Sequence, residues 1–296
     1  MVSNAIDMSS PKSGLFESAP SLEISDSDYR FVRDLIYKHS RINLDGNRKH
    51  LVVSRLSRRL RQLNLKDCNA YCRLLRSPEG GEEVQKLVDS ISTNFTFFFR
   101  EQKHFDFLTQ VVLPAHRDGA RAGGAGSFRI WSSACATGEE PLSMALLLAD
   151  TLGCTKSADW RVEATDISTA ALETAKRGVY AEENLTLPKP EWLSRYFQKG
   201  VGQWAGKYRT KNELLERISY RQMNLIESPV PFPTPVNVIF CRNVMIYFDR
   251  KTQEQLIRRL VGCLTQGGYL IIGHTENLTV QPQLTKVQHS IYKRIA

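Results

Sequence analysis

The chain has 296 residues, of which 42% are hydrophobic and 24% charged, as is ordinary for a soluble globular protein. Its longest apolar runs fall far below the roughly 18 residues that a membrane-spanning helix needs, and its N-terminus lacks the apolar core of a signal peptide. Six cysteines occur without a C-x-x-C pair, so we expect free thiols in a reducing cytoplasm.

The positive charge is concentrated in one N-terminal segment. Residues 30–66 carry eleven basic and two acidic side chains, which accounts for the whole net charge of +9. This pattern predicts attraction of an acidic partner to that segment, whether nucleic acid, an anionic membrane or an acidic protein surface.

The first part of the chain has the pattern of short amphipathic helices. Ser25–Asp28 can cap a first helix, and a second follows a break at Asn43–Asn47, with its arginines mostly on the side away from its leucines. We therefore predict a flexible tail over residues 1–20 and a basic helical domain over residues 21–92. Residues 93–127 are predicted as a linker with a helix to Leu113 and a loop at 119–126.

From residue 128 onward, apolar strands alternate with helices. Strands are predicted at Phe128–Ser133, Arg161–Asp166, Val236–Cys241 and Tyr269–Gly273, and helices from Pro141, at Thr169–Arg177 and at Thr252–Leu264. The alternation predicts a doubly wound, mostly parallel sheet over residues 128–296. A glycine-rich stretch with flanking aromatic residues predicts a small antiparallel insertion over residues 193–220.

The turn after the first strand lacks the glycines of a dinucleotide-binding loop. It holds one glycine, Gly138, followed by Glu139 and Glu140. Two carboxylates would repel a phosphate and attract a cation, so this turn favours a positively charged nucleoside such as S-adenosylmethionine. Glu140 is the better candidate for the contact, although both carboxylates would also complement the helix dipole.

Polar residues follow two further strands at the edge where a ligand crevice is expected. Asp166 is placed to accept ribose hydroxyls or to cap the next helix. Arg242, Asn243 and Tyr247 follow the third strand. No metal-ligand spacing and no nucleophile elbow occurs, and His274 is at least as well explained by a structural role.

Five blocks of this sequence together resemble the bacterial chemotaxis receptor methyltransferases, the CheR family. The blocks are Asn94–Glu101, Cys135–Ser143, Ala164–Asp166, Ile239–Asp249 and Gly273–Asn277. The resemblance implies an α/β fold: a doubly wound, Rossmann-like S-adenosylmethionine-dependent methyltransferase domain with an N-terminal all-helical domain and an antiparallel β insertion. It implies methyl transfer to receptor glutamates, giving glutamyl methyl esters and S-adenosylhomocysteine.

The resemblance also implies roles for particular residues. Cofactor contacts are expected from Asn94, Thr96, Arg100, Glu140, Asp166, Asn224, Leu225, Arg242 and Asn243. Arg100 and Tyr247 are expected close to the transferred methyl, as the catalytic residues. Two positions depart mildly from the family: Leu142 stands where tyrosine is frequent, and Phe97 where a small residue is frequent.

The expected partner is the glutamate-rich cytoplasmic helix of a methyl-accepting chemoreceptor. Four arginines of the second helix are expected to dock it: Arg55, Arg58, Arg59 and Arg61. The 193–220 insertion is a candidate site for a receptor C-terminal pentapeptide. We expect a cytoplasmic monomer with no metal, no nucleic-acid partner and no membrane insertion. A nucleic-acid methyltransferase, or a non-catalytic module that binds the cofactor and the receptor, remains as an alternative.

Overall fold

A computed structural model describes residues 23–44, 48–121, 126–155, 158–233, 235–278 and 281–295. The predicted tail, residues 1–20, and residues 45–47 of the predicted break lie outside this part of the chain.

Four helices form the predicted N-terminal domain. They are α1 (Asp26–Ser40), α2 (Lys49–Gln62), α3 (Cys68–Arg76) and α4 (Gly81–Ile91). Helix α1 begins at an N-cap, where the Ser25 hydroxyl accepts the amide of Asp28 at 3.1 Å. The apolar faces of the helices bury Val32, Ile36 and Leu56 in a core separate from that of the sheet domain.

A buried ion pair joins three of these helices. Both carboxylate oxygens of Glu83 (α4) accept hydrogen bonds from the Arg59 guanidinium (α2) at 2.6 Å, and Tyr71 (α3) donates to the same carboxylate at 2.7 Å. Burial alone would raise the pKa of Glu83, but Arg59 and Tyr71 hold it below its ordinary value. Arg59, predicted as a docking residue, therefore also holds the domain together.

The segment that follows is more helical than predicted. Helix α5 (Lys103–Phe107), a π-helical turn (Leu108–Val112) and α6 (Leu113–Arg121) run without interruption. The prediction of a loop from residue 119 is wrong at residues 119–121, because one glycine costs a helix only about 1 kcal/mol. The remainder of the predicted loop, residues 122–125, lies outside the described residues.

The sheet domain contains ten strands and five further helices among the described residues. The strands are β1 (Phe128–Ser132), β2 (Trp160–Asp166), β3 (Val179–Ala181), β4 (Phe197–Lys199), β5 (Lys207–Thr210), β6 (Ile218–Gln222), β7 (Val236–Cys241), β8 (Leu264–Ile272), β9 (Leu284–Gln288) and β10 (Ile291–Arg294). The helices are α7 (Glu139–Leu152), α8 (Thr169–Arg177), α9 (Glu191–Tyr196), α10 (Asn212–Leu215) and α11 (Arg250–Cys263).

Seven of these strands form the main sheet, in the order β6-β2-β1-β7-β8-β10-β9. The first five are parallel, and β10 and β9 add an antiparallel hairpin at one edge. The predicted doubly wound, mostly parallel sheet is confirmed. The chain moves outward from β1 to β2 on one side and from β7 to β8 on the other, so a crevice is expected where β1 and β7 end.

The antiparallel insertion is present, with different bounds from those predicted. Its strands pair in the order β3-β5-β4, so it begins at Val179, and Tyr180 of β3 pairs with Tyr208 of β5. Residues 218–220, the last three of the predicted insertion, belong instead to strand β6, which pairs with β2 from Ile218 to Gln222 and extends the main sheet.

Hydrogen bonds and an ion pair connect the helical domain to the sheet domain. The Tyr37 hydroxyl donates to Asp249 at 2.7 Å, and the amide of Asn43 donates to the carbonyl of Tyr247 at 2.8 Å. Arg41 forms an ion pair with Glu227 at 2.7 Å. These contacts place the end of α1 against the carboxyl end of β7, beside the expected crevice.

Candidate functional site

A cavity of about 890 Å³, counted together with its open mouth, lies at the carboxyl ends of β1, β2 and β7. The helical domain contributes Ser40 and Ile42 to its wall. Eight of the nine residues expected to contact a cofactor also line it: Asn94, Thr96, Arg100, Glu140, Asp166, Leu225, Arg242 and Asn243. Tyr247 lines it as well, so the structure brings almost the whole predicted set together.

The turn after β1 exposes its backbone to this cavity. Ser133, Ala134 and Ala136 line the wall with small side chains, and Ala136 has a positive φ of 47°. At Gly138 φ is 99°, and a Cβ there would lie 2.8 Å from that of Ala175, so only glycine fits. Helix α7 then begins at Glu139, two residues before its predicted start.

The two carboxylates of this turn have different surroundings. Glu140 lines the cavity, and its oxygens accept hydrogen bonds from Ser132 at 2.6 Å and from Arg242 at 3.0 Å. Glu139 does not line it, and accepts the Thr137 hydroxyl at 2.6 Å. Burial raises the pKa of both carboxyls, and Arg242 offsets part of this at Glu140. Glu140 is thus the carboxylate that a ligand would meet.

Asp166 presents its carboxylate at the end of β2. One oxygen accepts the amide of Ala136 at 2.8 Å and the other the amide of Ser168 at 2.9 Å. Burial raises the pKa of Asp166, and these two amides offset part of the rise. The helix that follows is capped by Ser168, whose hydroxyl accepts the amide of Ala171. Asp166 therefore is not the cap of α8 and remains available to the cavity.

The guanidinium of Arg242 is the centre of the polar network, with only 1% of its side chain exposed. It contacts Glu140 at 3.0 Å and Glu101 at 3.1 Å, and it donates to the carbonyl of Arg100. Burial alone would raise the pKa of Glu101, but Arg242 and a backbone N–H of His274 hold it below its ordinary value. This role of Glu101 could not be predicted from the sequence, because its partner Arg242 is 141 residues away.

A second buried carboxylate fixes the loop after β7. Glu276 accepts the amides of Asn243 at 2.9 Å, Met245 at 2.8 Å and Gly273 at 2.7 Å. Asn243 has a positive φ of 56°, a strained conformation that these bonds maintain. Glu276 lies in the Gly273–Asn277 block, but the sequence did not reveal its contacts.

Arg100 and Tyr247, the two predicted catalytic residues, both line the cavity. Arg100 donates to the carbonyl of Phe95 at 3.0 Å, and its guanidinium lies 5.7 Å and 5.9 Å from the ring centroids of Phe95 and Phe97. These two rings are 71% and 46% exposed, whereas their neighbours Phe98 and Phe99 are buried. Only half of the phenylalanine run therefore packs in the core.

Asn224 is the one predicted cofactor residue that does not line the cavity. Its side-chain oxygen accepts the amide of Ile226 at 2.9 Å, and its nitrogen donates to the carbonyl of His39 at 3.0 Å. It therefore shapes the turn that carries Leu225, which does line the cavity.

The sequence matches known protein families over both domains. Residues 27–92 match "CheR methyltransferase, all-alpha domain", and residues 94–293 match "CheR methyltransferase, SAM binding domain". The chain belongs to the CheR methyltransferase family. The family that the five sequence blocks predicted is thereby confirmed, and so is S-adenosylmethionine as its cofactor.

Several curated relatives are similar over nearly their whole length. A chemotaxis protein methyltransferase of Escherichia coli (strain K12) is 42% identical over 265 residues, 90% of this chain and 89% of that protein. One of Salmonella typhimurium is 39% identical over 90% and 88%. Chemotaxis protein methyltransferase 2 of Pseudomonas aeruginosa is 38% identical over 90% and 92%. These relatives do not support the alternative prediction that the chain is a nucleic-acid methyltransferase.

The residues of the cavity fit the cofactor of the CheR family. The cofactor carries a positive charge on its sulfur and another on its amino group, and Glu140 and Asp166 supply carboxylates to the cavity. The apolar side chains of Ile167, Met223 and Leu225 line the same cavity and suit a purine ring.

A basic groove adjoins the cavity and shares Ser92 and Asn94 with it. Arg55, Arg58, Arg59 and Lys86 line this groove, whereas Arg61 does not. The structure therefore brings three of the four predicted docking arginines together at one surface. Within the described part of the chain, no helix is both long and apolar enough to cross a bilayer.

A buried histidine lies behind Arg242. His104 shares a hydrogen bond of 2.8 Å with the Ser290 hydroxyl, and its ring centroid is 4.7 Å from that of His274. Burial and the nearby guanidinium of Arg242 lower the pKa of His104 from 6.5 to about 3.

His104 is expected to make the protein less stable in weak acid. The unfolded chain takes up a proton near the ordinary pKa of 6.5, whereas the folded protein does not until about pH 3, so stability falls as the pH is lowered between these values. From pH 7 to pH 5 the loss in free energy of unfolding should be about 2 kcal/mol. Urea denaturation in metal-free buffer at both pH values measures it.

The matched variants for this measurement are His104→Gln and His39→Gln. His104→Gln should remove about 2 kcal/mol of the pH-dependent change, while His39→Gln, at a solvent-exposed ring, should retain it. Comparing variants cancels the contribution of carboxyl groups such as Glu140, whose raised pKa acts in the opposite direction. An identical pH dependence in wild type and His104→Gln would contradict the assignment.

Proposed function

We propose that this protein transfers a methyl group from S-adenosylmethionine to glutamate side chains of chemoreceptors and forms glutamyl methyl esters. The observation that carries the proposal is the junction, at Ser92 and Asn94, of a basic groove with a cavity that presents Glu140 and Asp166 to a cofactor. The related proteins are themselves chemotaxis protein methyltransferases. We further propose that it acts in the cytoplasm as a monomer.

This reaction does not require a general base. A glutamate side chain has an ordinary pKa of about 4.3, so at neutral pH the attacking group is already an anion. When bound, S-adenosylmethionine supplies a methyl group on a positively charged sulfur. The protein then has to align the carboxylate with that methyl and to exclude water.

We assign the two ends of the cofactor to the two carboxylates of the cavity. Glu140, held by Ser132 and Arg242, is placed to accept the ammonium group. Asp166 uses one lone pair of each oxygen for a backbone amide and retains others for ribose hydroxyls. Asn94, Thr96, Asn243 and the backbone beside Leu225 complete the contacts.

Arg100 is the residue that we assign to the incoming glutamate. Its bond to the Phe95 carbonyl and the two flanking rings restrict the guanidinium, so the remaining N–H groups have a defined direction. A charge-assisted hydrogen bond from Arg100 would orient the carboxylate. Tyr247 also lines the cavity, and we assign it to the channel through which the methyl passes.

Arg100→Ala should lower kcat for receptor methylation by about 100-fold or more, because a misdirected nucleophile loses that much rate. The assay is transfer of a radiolabelled methyl group to receptor membranes, with base-labile ester as the readout. Arg258→Ala, at an exposed arginine of α11, is the control and should retain activity. Wild-type turnover by Arg100→Ala, in a variant with an unchanged melting temperature, would refute the assignment.

The basic groove is the surface that we assign to the glutamate-rich helix of the receptor. Arg58 and Arg61 provide a matched pair, since both are exposed arginines of α2 but only Arg58 lines the groove. Arg58→Glu should raise KM for receptor membranes roughly tenfold at low salt, because it places like charges opposite each other. Arg61→Glu should have a much smaller effect.

The salt dependence of methylation gives an independent check on the groove. The difference between the two variants should shrink as the ionic strength approaches 1 M, where charges more than about 3 Å apart are screened. Equal effects of Arg58→Glu and Arg61→Glu at low salt would rule out the groove as the docking surface.

The small antiparallel sheet is a second proposed contact, for the C-terminal pentapeptide of a receptor. Val201 and Trp204 are 81% and 51% exposed beside a groove lined by Val179, Lys199 and Arg209. Strand β4 is an edge strand, so an extended peptide could add to it by backbone pairing. Such tethering would raise the local concentration of enzyme at the receptor.

A synthetic receptor-tail pentapeptide titrated into the protein tests this contact by calorimetry. Trp204→Ala should weaken binding at least tenfold, because a tryptophan in a contact of this kind carries a large share of the affinity. Val287→Ala, which truncates a 44% exposed apolar side chain on the main sheet, should leave binding unchanged. Absence of binding to the wild-type protein would remove this part of the proposal.

A further inference from the structure

Two histidines and a carboxylate from distant parts of the chain meet behind the cofactor cavity. The potential ligand atoms of Glu101, His104 and His274 all lie within 4.8 Å of one another. His104 is buried, Glu101 is 14% exposed and His274 is half-buried, so the group leads from the core toward the surface. The exposed ring of His289 continues the series, 5.7 Å from that of His274.

The hydrogen bonds around His104 favour one tautomer. The Ser290 hydroxyl has two neighbours within hydrogen-bond distance, the carbonyl of His289 at 2.7 Å and His104 Nε2 at 2.8 Å. A carbonyl oxygen can only accept, so when Ser290 donates its proton to it, Nε2 is the donor to Ser290 Oγ. In the neutral ring Nδ1 is then a bare lone pair, and no hydrogen-bond donor among the described residues reaches it.

The lone pair of His104 Nδ1 lies opposite a carboxylate oxygen of Glu101, which is also a hydrogen-bond acceptor. His104 Nδ1 lies 3.4 Å from Oε2 of Glu101, and neither atom has a proton to share with the other. A proton added between them would create a buried imidazolium beside the guanidinium of Arg242. A metal ion instead accepts both lone pairs at once, since neutral imidazole and ionised carboxylate are metal ligands as they stand.

The spacing and the surroundings suit a tetrahedral ion. Ligands about 2.0 to 2.1 Å from a zinc ion are ~3.3 Å apart in a tetrahedral site, close to the 3.4 Å between His104 Nδ1 and Glu101 Oε2; the ligand atom of His274 lies within 4.8 Å of both. The bond from Nε2 to Ser290 is the kind of outer contact that fixes a ligating histidine. Two carboxylates, Glu101 and Glu140, contact the buried guanidinium of Arg242 at 3.1 and 3.0 Å, which offsets its repulsion of a cation.

We propose that Glu101, His104 through Nδ1, and His274 form a binding site for a divalent cation of the zinc class, with a fourth position left to water. Imidazole nitrogen and carboxylate oxygen are borderline donors of the kind that zinc accepts, whereas calcium and magnesium prefer all-oxygen sites. The sequence showed no ligand spacing because His274 lies 170 residues beyond His104. The site shares Glu101 with Arg242 and so borders the cofactor cavity without belonging to it.

Calorimetric titration of Zn²⁺ alone into the full chain, stripped with EDTA and dialysed, tests the proposal. One equivalent should bind, and His274→Gln, at a half-buried ring, should weaken binding at least tenfold by removing a ligand. Ser290→Gly should weaken it about tenfold although its hydroxyl does not contact the ion, because it frees the His104 ring. Glycine suits that position, where φ is 59°.

His39→Gln and Cys154→Ser are the controls for adventitious binding, at an exposed histidine and a partly exposed thiol, and both should leave the affinity unchanged. Far-UV circular dichroism and melting curves confirm that each variant is folded. The proposal is overturned if the wild type takes up no zinc stoichiometrically. It is equally overturned if His274→Gln and Ser290→Gly, both folded, bind zinc as tightly as the wild type does.

Discussion

The buried guanidinium of Arg242 is the interaction on which the arrangement of the site depends. It joins Glu140 at the start of α7, Glu101 in the segment between the domains, and the backbone of Arg100. Removing one partner of a buried ion pair typically costs about 3–5 kcal/mol, because the other charge remains buried and unpaired. The same contacts hold the carboxylate of Glu140, which we assign to the cofactor, and the backbone of Arg100, which we assign to the substrate, so both proposed roles depend on Arg242.

The sequence predicted the sheet domain well where a continuous apolar run marks a strand or where capping residues mark the ends of a helix. Strand β7 and helix α8 have the bounds predicted for them, because a buried run defines the first, and Ser168 and Gly178 delimit the second. The hairpin of β9 and β10 was missed, since β9 is mostly exposed and has no apolar face. Strand β6 was missed because five residues beside a glycine-rich insertion gave no independent signal.

The same distinction applies to the candidate site. Glu140, Asp166 and Arg242 could be predicted because they follow strands at the edge where a doubly wound sheet binds its ligands. Glu101 and Glu276 could not, because their roles come from partners brought near by folding: Arg242 for Glu101, and the amides of the loop after β7 for Glu276. Asn224 is the opposite case: the family resemblance predicted that it contacts the cofactor, but its side chain supports a turn.

The seam between the two domains also forms part of the cavity wall. Ser40 and Ile42 line the cavity from one domain while Asp166 and Arg242 line it from the other. A molecule that fills the cavity would contact both domains, which would link the free energy that holds the domains together to the free energy that holds the ligand. The hydrogen bond between Tyr37 and Asp249, neither of which lines the cavity, would then contribute to the affinity for the cofactor.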